Sequence, residues 1–397
     1  MKSLQPILWA VPLLGLAASA PAPQFYSRPS YFREGVTIEI SLENPPKGLL
    51  RLPMHRNAVT SLAVVGDWAV GGTSAEKGLT PFVFAVSIRQ RRLREVFDLK
   101  TILPDQRAVV SGFAPGSKGE LYAGTLPDGK GAGHLIRVRI QKGKLTVEDL
   151  GTPVDGEGIF ALASDPKRGV LYGIAHPSGK FFSYNLAAAK ATVFPKTPPV
   201  AKTQHTVFAL YQLKPEDYLS RRLVLDGKGR VYGSMPIGRL FRYDPETRKV
   251  TVLPDTMPEV WGRRPLSRAD AWAVAPDGTL FCGNAGDGQV FTVNPDTGKV
   301  CNLGKPIMMN RIMGLAFSSG GRLYGIAGAD PGYSHLFYYE PGGRGFVDLG
   351  CPCFQLAEIG GFWRAYQIAS LAASEDGKTI VLGEDGALSQ LMIFSVR

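Results

Sequence analysis

The chain copies one pattern along its whole length. An apolar strand is followed by a tight turn, an aromatic-x-Gly strand, a loop, an aromatic strand, a turn and a last strand. One copy runs Trp272-Ala-Val-Ala-Pro-Asp-Gly-Thr-Leu-Phe281-Cys-Gly283, then Gln289-Val-Phe-Thr-Val293, a Pro-Asp-Thr-Gly turn and Lys299-Val300. Another runs Leu223-Val-Leu-Asp-Gly-Lys-Gly-Arg-Val-Tyr232-Gly233, then Arg239-Leu-Phe-Arg-Tyr243 and Lys249-Val-Thr-Val252. Asp-Gly and Pro-Asp-Thr-Gly are turn chemistry, and the β-branched and aromatic alternation between them marks strands. The second-strand glycine recurs at Gly72, Gly124, Gly173, Gly233, Gly283, Gly325 and Gly383. That is seven copies about 42 to 60 residues apart, the spacing of propeller blades. No helical period of useful length interrupts them, which excludes a parallel α/β fold. The expected fold is therefore all-β, a seven-bladed β-propeller.

A ring has to close. The last copy, Ile368 to Phe394, supplies three strands and the chain stops at Arg397. The alternating segment Val36-Thr-Ile-Glu-Ile-Ser-Leu42 stands before the first copy without a partner. It is expected to supply the missing outer strand, so that the last blade is closed by an N-terminal strand and leaves no open edge.

The expected organisation is a signal peptide over 1–20, a linker over 21–35 and the propeller over 36–397. Lys2, the apolar run Ile7–Leu16 and the small residues Ala17-Ala-Ser-Ala20 have the order of a secretory signal, and the run is too short to span a bilayer. A secreted or periplasmic location follows. The formal net charge of +11 becomes +10 without Lys2 and favours anionic partners. The densest basic run, Arg89-Gln-Arg-Arg-Leu-Arg94, falls on a turn between third and fourth strands and reads as solvated. No nucleic-acid motif is present. Four cysteines are few for an exported scaffold. Cys282 reads as a small buried residue, Cys351-Pro-Cys353 are too close for an unstrained bridge, and a pairing with Cys301 stays open. No metal-ligand spacing is visible, and a cofactor is not specified.

Propeller geometry assigns faces. Loops between second and third strands share one face with the links from each fourth strand to the next blade. The opposite turns are short, so function is expected on the first face, where the longest segment runs from Phe194 to Arg221. All five histidines fall on or beside that face: His55, His134, His176, His205 and His335. With them come Arg107, Arg221, Arg263, Arg264, Arg268, Arg311, Arg364, Tyr366 and Gln367, and the loop residues Asn284 and Asp287. First-strand starts lie nearest the central channel, so His205, Arg268, Arg311 and Tyr366 are expected to converge. A single loop histidine or arginine is more often solvated than catalytic; the bias of all of them to one face is the informative feature. Serine-hydrolase elbows, Walker loops and dinucleotide fingerprints are absent, and paired carboxylates are not evident in these loops.

The copies Leu171-Tyr-Gly-Ile-Ala-His176-Pro-Ser-Gly-Lys-Phe-Phe-Ser-Tyr184 and Val231-Tyr-Gly-Ser-Met-Pro-Ile-Gly238-Arg-Leu-Phe-Arg-Tyr243 resemble blades of secreted bacterial seven-bladed propellers. That group includes the ulvan-lyase type of polysaccharide lyase. The resemblance implies His, Tyr and Arg chemistry on one face and β-elimination in an anionic, uronate-containing glycan. Elimination needs a cation on the carboxylate, a base and an acid. His176 and His205 are the candidate bases, and Tyr211, Tyr218 and Tyr366 the candidate acids. Arg264, Arg268, Arg311, Asn284 and Gln367 are the candidate substrate ligands. The competing expectation is a non-catalytic propeller that binds an anionic polysaccharide or an extracellular protein at the same face.

Overall fold

The computed structural model describes residues 29–31, 35–42, 47–194, 206–210, 212–260, 262–328, 333–355, 362–386 and 389–396, with backbone only at 29–31, 354–355 and 362–364. The signal expected over 1–20 lies outside the described residues.

Short antiparallel sheets, arranged as a β-propeller, carry the whole fold. The third repeat is typical: Gly158–Asp165, Val170–His176, Phe181–Asn185 and Lys190–Phe194 pair in that order. The fourth and fifth repeats build the same four-stranded sheet, from Val224–Leu225 to Lys249–Thr256 and from Ala269–Val274 to Val300–Gly304. The first and second repeats are welded into one sheet of nine strands, because Gln106–Val109 pairs with both Trp68–Ser74 and Leu121–Pro127. The sixth repeat, Ile312–Phe317 to Gly345–Gln355, gains two further strands on its outer edge, Pro29–Tyr31 and Phe362–Arg364. The first of these lies inside the span expected to be a linker, so that segment is partly structured.

The closing repeat has three strands, Ile368–Ala373, Thr379–Glu384 and Gln390–Ser395, and takes Gly35–Glu39 as its fourth. Val36, Ile38 and Ile40 sink into an apolar cluster with Val59, Leu62, Phe84, Leu391 and Ile393, joining the last repeat to the first. Ser370 Oγ donates to the Val59 carbonyl at 2.8 Å across the same seam.

The recurrent glycine has two physical reasons. At Gly173, Gly233 and Gly325 an added Cβ would fall 2.3, 2.8 and 2.3 Å from the ring of the cross-strand Phe182, Phe241 and Phe337. At Gly124, Gly283 and Gly383 it would strike Ile159, Ile312 and Val59 on the inner strand of the next repeat, at 2.2 to 2.4 Å. Either the aromatic strand or the neighbouring sheet takes the space that a side chain would fill.

The four cysteines are free thiols: Cys282, Cys351 and Cys353 are buried and Cys301 is exposed. The basic run at Arg89–Arg94 forms the expected turn, with Asp67 accepting from the Arg89 amide at 2.8 Å. No described helix is long and apolar enough to cross a membrane.

Candidate functional site at the mouth of the central channel

Inner strands begin at the face that bears the long links. Three consecutive repeats place an arginine just before that start: Arg222, Arg268 and Arg311. Arg222 is half-buried. It donates to the carbonyls of Val110 (2.6 Å), Arg221 (2.9 Å) and Thr60 (3.1 Å), tying the fourth repeat to the second and the first. No local motif marks this residue. Its partners are set by ring geometry, since Val110 and Thr60 lie 112 and 162 residues earlier in the chain.

Arg221 stands beside it with its guanidinium carbon 5.1 Å from the centre of the Phe160 ring. Its Nε is buried and has no hydrogen-bond partner among the described residues. Burial, and then the positive charge of Arg268, push the Arg221 guanidinium down to about 10, with Arg311 and Arg222 adding to the repulsion. Arg268 is held by Asp270 (Nε to Oδ2, 2.6 Å) and by the Asp217 carbonyl at 2.7 Å. Arg311 pairs more loosely with Asp385, at 3.5 Å. Desolvation raises the Asp385 carboxyl above its ordinary value, against the pull of Arg311 and of the Gln367 side chain.

His176 ends its strand against the same Phe160, ring centroids 4.8 Å apart. Burial lowers its pKa from the usual 6.5, opposed by the carboxylates of Asp217 and Glu216. Tyr218 closes a short 3-10 turn, Pro215–Tyr218, and packs on Phe208 with centroids 5.8 Å apart. Burial raises its phenol, with Arg268 opposing. A neutral imidazole and a protonated phenol thus face a cluster of four guanidiniums.

The structure brings together His176, Tyr218, Arg268, Arg311 and Gln367, with Arg221 and Arg222 added. Tyr366 stands next to Gln367, edge-on to Tyr333 at 5.6 Å. His205 and Tyr211 lie outside the described residues. Two expected ligands are spent elsewhere. The buried Asn284 donates to the Pro258 carbonyl (3.1 Å) and Ser267 Oγ (3.0 Å), and accepts from the Arg268 and Gly286 amides. It builds the loop and has no atom left for a ligand. Arg264 sits on the rim with Glu259 at 2.8 Å, apart from the central cluster. The other histidines have carboxylate partners: His55 with Glu76, His134 with Asp149, and His335 with Asp348. Asp287 is also inward, accepting from the Val260 amide and, at 3.3 Å, from Gln289.

Two recesses flank the mouth. One, of about 610 Å³, has His176 and Pro177 at one end and Lys77, Arg107 and Lys130 around it. The other, of about 370 Å³, lies between His55 and Asp385. No group of three or more His, Cys, Asp or Glu suited to a metal ion occurs among the described residues.

No family model and no curated protein matches the chain. Solved propeller structures do. A streptogramin B lyase is similar at TM-score 0.58 and 10% identity, over 87% of this chain and 96% of that one. The virginiamycin B lyase of Staphylococcus aureus is similar at TM-score 0.56 and 12% identity, over 87% and 98%. The WD40 repeats of RRP9 are similar at TM-score 0.58 and 14% identity, over 86% and 96%. At these identities the likeness establishes the fold alone.

Proposed function

We propose that this chain is an exported seven-bladed propeller lyase that cleaves an anionic, uronate-containing glycan by β-elimination at the channel mouth. Reading the nine-stranded sheet as two blades divided at Gln106–Val109 is what supports a count of seven. The observation that carries the reading is the Arg221 guanidinium, buried with its Nε unsatisfied among the described residues and joined through Phe160 to a His176 kept neutral by burial. A buried, unpartnered donor is a waiting site for an anionic oxygen.

In this reading Arg221, with Arg268 and Arg311 behind it, holds the sugar carboxylate and stabilises charge that builds there. His176 takes the proton from the carbon next to the carboxylate. That C–H electron pair becomes a carbon–carbon double bond, the bond to the glycosidic oxygen breaks, and Tyr218 gives its proton to the departing oxygen. Both pKa directions suit these roles. Two of the similar propellers are lyases, and one solved form of virginiamycin B lyase, carrying a histidine-to-alanine change, is catalytically inactive.

Purified protein, incubated with uronate glycans, is expected to generate the ultraviolet absorbance of the unsaturated sugar. His176→Gln should lower the rate about a hundredfold or more. Because burial depresses His176, the acid limb of the rate profile should lie below its ordinary 6.5. Full activity in His176→Gln would defeat the assignment. A second reading, a non-catalytic binding module, draws on the carboxylates that already pair Arg268 and Arg311. Saturable binding of a uronate glycan with no absorbance change would establish it.

A further inference from the structure

The larger recess extends the site in one direction. Its cations come from three links or loops of the same face: Lys77 from the first repeat, Arg107 from the link to the second, Lys130 from the second. None of the three takes part in an ion pair among the described residues. The two nearby carboxylates are engaged. Asp128 accepts from the Gly78 amide at 2.6 Å and so ties the two sides together. Glu157 is held by Lys180 at 2.8 Å and by Ser178. Leu126, Pro127 and the glycines Gly129, Gly131, Gly156 and Gly158 complete its lining. A Cβ on Gly158 would sit 2.5 Å from the Leu126 side chain, so the second and third repeats pack closely there. The recess is therefore lined by three cations against one carboxylate, Asp128, with His176 also in its wall.

We infer that this recess is an extended anion subsite, which takes the next charged residues of a linear polyanion whose first carboxylate sits at Arg221. The inference rests on the lyase reading only for the position of the scissile bond; binding in the recess does not require turnover. A volume of about 610 Å³ exceeds what one carboxylate needs and suits a drug-sized or disaccharide-sized segment. The exposed lysines at the outer end and the buried arginine at the inner end divide the labour: the first recruit and align a chain, the second orients one group. The ligand class is a chain carrying a negative charge on successive units, longer than the reacting sugar itself.

The test compares a uronate disaccharide with a uronate decasaccharide, both fluorescently labelled, by anisotropy titration of the full chain. Lys77→Ala with Lys130→Ala should weaken the decasaccharide about tenfold, leave the disaccharide within about twofold and flatten the salt dependence. Lys77→Arg with Lys130→Arg should restore the long ligand. Unchanged decasaccharide binding in the alanine pair overturns the subsite, as does an equal loss for both lengths. Arg221→Met separates the two proposals. It should abolish elimination yet keep the length preference. Absorbance product from the alanine pair that keeps the parent's full preference for the long substrate would leave the lyase standing and remove the subsite.

Discussion

The two ends of this propeller treat their polar groups differently. At the end with the short turns, carboxylates and amides are used to exhaustion. Asp226 accepts from the Lys228 and Arg230 amides, from Arg230 Nε and from the Tyr232 hydroxyl. Asp165, Asp244 and Asn294 each accept from two amides of their own turns. At the end with the long links, Asn57, Arg221, Glu259, Arg263, Asp287, His335 and Asp385 each have a buried polar atom without a partner among the described residues. Satisfied turns of this kind stabilise; unsatisfied buried atoms cost free energy unless something else meets them. The difference separates a stabilising end from a receiving one.

Three substitutions press on that difference. The largest effect is expected from Arg222→Ala, which lies at the receiving end but whose bonds are all made to the protein. Losing them leaves carbonyls on three repeats unpaired and should cost about 3 kcal/mol, read as a lower denaturant midpoint. A loss near zero would mean the channel mouth is not braced there. Asp226→Ala comes next, at about 2 kcal/mol, with the same measurement; if it cost less than Arg221→Met, the comparison between ends would be inverted. Arg221→Met should be the mildest for stability, within about 1 kcal/mol of the parent or above it, because a poorly satisfied buried charge is exchanged for an apolar side chain of similar length. The same variant should bind a uronate disaccharide more weakly in calorimetric titration while still preferring the decasaccharide. A marked drop in stability would place Arg221 with Arg222 among the braces.

Much of the architecture could be read from residues, because the repeat is a direct image of packing. Wherever Gly173 or Gly325 recurs, Phe182 or Phe337 takes the space opposite. The assignment of faces followed from the alternation of short turns with long links, and it put Arg268 and Arg311 at the mouth. What failed did so for identifiable reasons. Asn284 carries four possible hydrogen bonds, and a loop amide at a strand end satisfies its own turn before it meets a ligand. Arg264, four residues before Arg268, falls on a 3-10 turn that swings it to the rim beside Glu259. Arg222 escaped notice because its partners lie 162 and 112 residues earlier, and only ring geometry brings Thr60 and Val110 to it. The recess with Lys77, Arg107 and Lys130 joins three separate repeats and has no local signature.

The seam that closes the ring also sets how the protein answers to force. Gly35 pairs with Phe394 and Glu39 with Gln390, so the entering and leaving chain lie at the same end of one antiparallel ribbon. Tension applied at these two points loads the rungs one after another, as a zipper is opened, and not all together as in shear. The ladder over 35–39 would part rung by rung under modest load, freeing the outer strand while the inner strands stay packed around the channel. A translocase or unfoldase pulling on the C-terminal side would load this ribbon, and the molecule would lose its ring before it lost its blades.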